Sequence, residues 1–179
     1  MRKVVLLMSV SLDGFVARPD GDLSWLFPNI NDEAMAWTVD SIRQSDTQIM
    51  GRVAYQEQVQ HWPNSTDALA PLINDATKVV FSSTLEKVEW KNSRLATASL
   101  ADEVAQLRQQ PGSADIFVPG GARIAQSLSK LGLIDEYRLL VHPVALGAGM
   151  PLFADTVELK LLSSTTFATG AVAMTYNRV

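Results

Sequence analysis

The chain contains no cysteine, which rules out disulfides and thiolate chemistry and fits a cytoplasmic protein. Its two histidines, His61 and His142, are too few and too isolated for a zinc site, which takes three or four ligands, so no metal is expected. His142 precedes Pro143 within an apolar stretch and reads as structural. No long apolar run occurs either. "MRKVVLLMSVSLDGFVA" opens like a leader, with Arg2 and Lys3 ahead of apolar residues. Asp13 and Gly14 break the run well short of the roughly 18 residues a membrane span needs. It reads as a buried first strand, and no membrane partner is expected. Positive charge is modest: 15 Lys and Arg stand against 19 Asp and Glu, for a net charge of −4. That balance argues against a nucleic-acid surface but leaves room for a small anion held by local basic residues. Repeats, low-complexity tracts, the GxGxxG fingerprint, the GxxxxGK[ST] phosphate loop and the GxSxG nucleophile elbow are also missing.

What remains is ordinary globular composition, 47% hydrophobic and 19% charged over 179 residues, enough for one domain spanning 1–179 with a substantial core. "KVVLLMSV" has the apolar continuity of a strand covered on both faces. "SLDGFVARPDGDLSWLFPN" carries two Asp-Gly turn signals and reads as an irregular excursion. Asn31 caps a helix with Asp32 and Glu33 in its first turn and Met35, Val39 and Ile42 at helical spacing. "DTQIMG", "TKVVFSS", "DIFVPGG" and "DEYRLLVHPVAL" read as strands. "RVAYQEQVQHW", "SLADEVAQLRQQPG" (capped by Ser99) and "ARIAQSLSKLGL" (stopped by Gly132) read as helices. The tail "VELKLLSSTTFATGAVAMTYNRV" reads as a hairpin around "ATG", and its "VAMTYNRV" segment as an edge strand. Alternating strands and helices followed by a β-rich end predict a mixed, mostly parallel α/β sheet with a C-terminal antiparallel hairpin.

Open α/β sheets bind ligands at the carboxyl ends of their strands. Three predicted strand ends there carry small or basic residues: "IMGR" at 49–52, "VFSS" at 80–83 and "VPGGAR" at 118–123. Each alone has an ordinary explanation. A Gly-Gly pair serves a tight turn, an arginine at a helix start is solvated, and a Ser-Ser pair closes a strand. Their shared position after successive strands points to an anion site, where a guanidinium fork matches two phosphate oxygens.

The order "SLDGFVA", "IMGR", "VVFSSTL", "VPGGARIAQSL", "HPVALGAGMPLF" resembles the dihydrofolate reductase superfamily. It is closest to the branch of the reductase domain of bacterial riboflavin biosynthesis (RibD C-terminal domain-like). The resemblance runs almost end to end and implies a three-layer fold, a central mixed sheet between helices, that binds NADPH across the carboxyl ends of its strands. On that resemblance, Gly51, Arg52 and Val53 face cofactor phosphates at a helix start, and Ser82 and Ser83 lie beside the adenosine ribose phosphate. Gly120 and Gly121 form a turn often held as a cis peptide, ahead of a helix facing the pyrophosphate. Ala122 stands where many members have a third glycine, and Arg123 reaches the 2′-phosphate. No acidic residue follows the turn to hold a bare 2′-hydroxyl, which favours NADPH over NADH.

The same resemblance places Val16 and Ala17 against the nicotinamide and Asp13 at the start of a mobile loop. Trp25 walls the substrate side, and Asp32 is the nearest candidate for a proton donor. The implied activity is NADPH-dependent reduction of a small heterocycle, a pterin or a pyrimidine related to riboflavin precursors. A non-catalytic NADPH-binding sensor is the alternative. The chain carries no H-x-E and C-x-x-C deaminase signature. The branch is commonly homodimeric.

Overall fold

The computed structural model describes residues 1–179. Its elements run β1 (Val4–Ser11), β2 (Phe15–Ala17), α1 (Asp32–Ile42), β3 (Ser45–Gly51), α2 (Arg52–His61), α3 (Ala70–Asp75), β4 (Thr77–Phe81), β5 (Ser93–Leu95), α4 (Leu100–Gln109), β6 (Asp115–Val118), α5 (Ala122–Lys130), β7 (Glu136–His142), β8 (Met150–Pro151), β9 (Leu159–Thr166) and β10 (Val172–Arg178). Eight strands form one sheet in the order β5-β4-β3-β6-β1-β7-β10-β9, and β2 pairs with β8 in a separate ladder. Pairings from β5 through β7 are parallel, whereas β10 is antiparallel to both β7 and β9. This is the mixed, mostly parallel sheet with a C-terminal hairpin that the sequence predicts.

Parallel strands need cover on both faces, which is why their sequences are apolar without alternation. Leu6, Met8 and Val10 of β1 turn to the face packed by Val104 and Leu107 of α4 and Ala125 and Leu128 of α5. On the other face Met50, Val80 and Phe117 pack under Ala54 and Tyr55 of α2. There too, Ala34 of α1 packs on Leu140 and Ala173, from β7 and β10. The chain leaves β3 through α2 toward β4 on one face, and leaves β6 through α5 toward β7 on the other. The neighbours β3 and β6 are therefore a topological switch point, where crossovers diverge and leave a crevice.

Two expectations need correction. The last strand, β10, is not the edge: it lies between β7 and β9, and β9 takes the edge. Ala173 of β10 reaches a core cluster, while β9 ends in "SSTT", is exposed from Lys160 to Thr166, and has little to bury. The excursion after β1 is also not wholly irregular, since β2 docks on β8. That docking requires Gly149, because a Cβ there would sit 2.2 Å from the Ala17 carbonyl oxygen. No helix is long and apolar enough to cross a membrane.

The flank carrying β5 is tied down by one charged pair. Glu103, fully buried in α4, accepts from Arg94 Nη2 at 2.6 Å, Arg94 Nη1 at 3.0 Å and the Thr97 N–H at 2.8 Å. The Arg94 hydrogen bonds hold the Glu103 carboxyl below its ordinary range against the opposing effect of burial. A carboxylate with a lowered folded pKa contributes stability above its unfolded pKa and loses it as pH falls. Arg94→Met should therefore destabilise the protein at pH 7 by roughly 2 kcal/mol, discounted for the partial exposure of Arg94. The gap to wild type should shrink in chemical denaturation below about pH 4.5, where Glu103 is protonated in the unfolded chain.

Candidate functional site

The site begins where β6 stops. Its last residue, Val118, pairs with Leu6, while β1 continues to Ser11 alongside β7 only, and β3 continues to Gly51 alongside β4. Pro119 has no N–H with which to extend the ladder. Gly120 and Gly121 then reverse the chain at φ 124 and 88. Every peptide bond is trans, so the expected cis bond at this pair is absent; two left-handed glycines make the turn instead. The result is a notch in the sheet's carboxyl edge between β1 and β3. Because β4, β3 and β6 are neighbours, the structure brings the three predicted turns together: Ser82–Ser83, Gly51–Arg52 and Gly120–Gly121.

Two helices start in this notch, and both start unlike α1 and α4. Asn31 caps α1, its Oδ1 accepting from the Ala34 N–H at 3.0 Å, and Ser99 caps α4, its Oγ accepting from the Asp102 N–H at 3.2 Å. Both of those first turns also carry acids. By contrast, α2 and α5 have glycine at the N-cap, no side-chain cap and no acid in the first turn. Their first turns hold Arg52 and Arg123. Free N–H groups and an uncompensated positive helix end favour an anion. A Cβ on Gly121 would lie 3.7 Å from that of Ala54 in the first turn of α2, so the two N-termini meet from opposite faces of the sheet.

Arg52, Val53, Ser83, Gly121 and Arg123 are exposed at this edge, whereas Gly120 and Ala122 are buried. The Arg52 guanidinium hydrogen-bonds within its own helix, its Nη1 donating to Gln56 Oε1 at 2.9 Å. The Ser82 hydroxyl accepts from the Thr84 and Leu85 N–H groups at 3.1 and 2.9 Å, so it shapes the turn and leaves Ser83 to face outward. Two other surface clefts, one lined by Val59, Asn74 and Trp90 and one by Trp37, Glu136 and Arg138, lie away from these turns.

Beside the notch, β1 and the 143–153 segment are stitched together. Asp13 accepts from Ser11 Oγ at 2.6 Å and from the Leu146 and Gly147 N–H groups at 3.0 and 2.8 Å. Those bonds, the Ser11 hydroxyl foremost, lower its pKa to about 2. The Asp13 carboxylate is thus an acceptor already engaged within the chain. Val16 and Ala17 are buried in β2. Trp25 is buried with its ring edge-on to His142, centroids 5.4 Å apart. Asp32 is exposed at the first position of α1, whose start faces the same carboxyl edge because a crossover helix runs opposite to its strands.

Ser9 and its neighbour His142 are the pair that sequence reasoning does not reach. They lie 133 residues apart, and their bond, Ser9 Oγ to His142 Nε2 at 3.1 Å, exists only once β1 and β7 pair. No local signal marks it.

The profile of the RibD C-terminal domain matches residues 2–173. Uncharacterized protein YyaP of Bacillus subtilis (strain 168) is 34% identical over 98% of this chain and 95% of its own. Among solved structures, a Shewanella sp. PV-4 protein named for riboflavin biosynthesis superposes with a TM-score of 0.77 at 25% identity, over 99% of both chains. The Thermotoga maritima diaminohydroxyphosphoribosylaminopyrimidine deaminase/5-amino-6-(5-phosphoribosylamino)uracil reductase superposes with a TM-score of 0.71 at 15% identity, with 99% of this chain covering 57% of that one.

The turn itself is testable. At φ 88 Gly121 is in a region that side chains disfavour, while a Cβ would meet Ile124 Cγ2 at a contact distance of 3.4 Å, so the cost is one of backbone conformation. Gly121→Ala should cost about 1–2 kcal/mol in thermal or chemical unfolding.

Proposed function

The chain belongs to the RibD C-terminal domain family, and on that premise we propose that residues 1–179 act as one NADPH-dependent reductase domain for a small heterocycle, a pterin or a riboflavin-precursor-like pyrimidine. The observation that carries this reading is the meeting of two uncapped, arginine-bearing helix starts at the switch point. Such a place suits a dinucleotide, whose linked phosphates need donors from more than one element. Backbone N–H groups of Val53 and of the Gly121–Ala122 turn would bind the pyrophosphate. Arg52 and Arg123, with the Ser83 hydroxyl, would surround the extra ribose phosphate. NADPH supplies a hydride when bound. The chain's part is to orient it: Val16 and Ala17 give an apolar wall, and Trp25 with the 18–31 segment keeps water from the far side.

Homodimerisation belongs to the same proposal. The exposed edge strand β9 presents Leu161 and Leu162, each about half-exposed, beside unpaired backbone groups. A second copy pairing there would cover both.

Two measurements check the reading. Titration with both cofactors should show clear preference for NADPH, and Arg123→Ala should erase most of it, about tenfold or more, since a charge-assisted contact to phosphate is lost. Equal affinity for NADH, or an unchanged preference in the variant, contradicts the proposal. A screen of pterins, flavins and ribosylated pyrimidines should then show substrate-dependent NADPH oxidation, whereas tight binding without turnover favours a sensor. Within that assay, Asp32→Asn should lower turnover at least tenfold with NADPH affinity unchanged if the carboxyl supplies the proton. Equal turnover removes it from the mechanism.

A further inference from the structure

On the face of the sheet covered by α1 and α2, the polar side chains near the notch belong to β1 and β7. Leu6, Met8 and Val10 point to the opposite face, so Leu7, Ser9 and Ser11 share this one with Leu140 and His142, their partners in register being Ser9↔Leu140 and Ser11↔His142. Ser9 sits in the stretch of β1 that β6 leaves unpaired. Although β1 is a central strand, Leu7 and Ser9 are only partly buried, on the sheet face that α1 and α2 cover.

Behind Ser9 the setting is dry. His142 is fully buried, lies under the edge-on ring of Trp25, and touches one polar partner, Ser9 Oγ. Its Nδ1 has no protein partner. The imidazole is held neutral, since burial alone pushes its pKa below the ordinary value. Of the two neutral tautomers, one leaves a buried N–H without an acceptor and the other leaves only a lone pair. Orphaned buried donors are the rarer and costlier case. That cost favours the tautomer with the proton on Nε2, donated to Ser9 Oγ. In that arrangement one lone pair of Ser9 Oγ is engaged by His142, and the Ser9 O–H is left without a protein acceptor.

We propose that Ser9 is the hydrogen-bond donor that holds an acceptor atom of the substrate ring, a carbonyl oxygen or imine nitrogen, with His142 as the positioning residue that turns the hydroxyl toward it. The assignment deepens the reductase reading and rests on it: the notch holds the dinucleotide, and Ser9 stands beside it on the substrate side. It also separates the roles of the two serines of β1, because Ser11 is committed to Asp13 and the Phe15 N–H.

The protein's two histidines make the tautomer directly readable. Long-range proton–nitrogen NMR of the unliganded protein should show His142 neutral and protonated at Nε2; protonation at Nδ1 overturns the inference. Calorimetry in saturating NADP⁺, with 5,6-diaminouracil and 7,8-dihydropterin as probes, supplies the second arm. Ser9→Ala should weaken at least one probe about three- to tenfold, the span of one neutral hydrogen bond, while the affinity for NADP⁺ alone stays unchanged. Ser9→Thr, which keeps the hydroxyl, should fall nearer to wild type, and His142→Gln, which keeps a donor, nearer than His142→Leu. Wild-type probe affinity in Ser9→Ala, or a wild-type protein that binds NADP⁺ but neither probe, overturns this inference alone. A wild type that binds no NADP⁺ overturns the reductase reading with it.

Discussion

The early end of β6 governs what happens at the carboxyl edge of the sheet. Pro119 cannot donate to a ladder and the following glycines take φ values of 124 and 88, so the strand stops while both neighbours run on. That single shortfall opens the notch, turns the chain into α5, and aims its N-terminus at the start of α2. It also leaves β1 without its β6 partner beyond Leu6, so Ser9, in the middle of an eight-stranded sheet, has a ladder neighbour on the β7 side alone. A β6 longer by two residues would close the crevice and leave the same helices without a common target.

Electrostatics follow from the same geometry. The starts of α1 and α4 are capped by their own side chains and carry acids in the first turn. The two at the notch carry glycine caps and arginines. A chain with net charge −4 thereby concentrates positive potential at one place, from two dipoles and two guanidiniums. Stability at that place is sacrificed locally, since uncapped N–H groups and left-handed turns are unfavourable until an anion satisfies them.

Much of this was legible in the sequence because it is written in local signals. Continuous apolar runs marked β1, β3, β4, β6 and β7, and Asn31 and Ser99 marked their helix starts through cap chemistry that needs only three residues. The three turns were recognisable, but their adjacency depended on strand order, which no local pattern encodes. Short elements escaped for lack of periodicity: β5 and α3 are brief, and β2 and β8 exist only because Gly149 lets two backbones touch. The exchange of β10 for β9 at the edge is a matter of which strand has more to bury, a tertiary comparison. The Ser9–His142 pair lay furthest from reach, as neither residue is unusual until the fold joins them.

The central claim is that one dinucleotide joins the starts of α2 and α5. Amide chemical-shift mapping during an NADPH titration tests it most directly. The account predicts that the largest perturbations fall on the N–H groups of Val53, Ala54, Gly121, Ala122 and Arg123, moving together at one saturating concentration. Perturbations centred instead on the cleft of Val59, Asn74 and Trp90, or confined to one of the two helix starts, would contradict it.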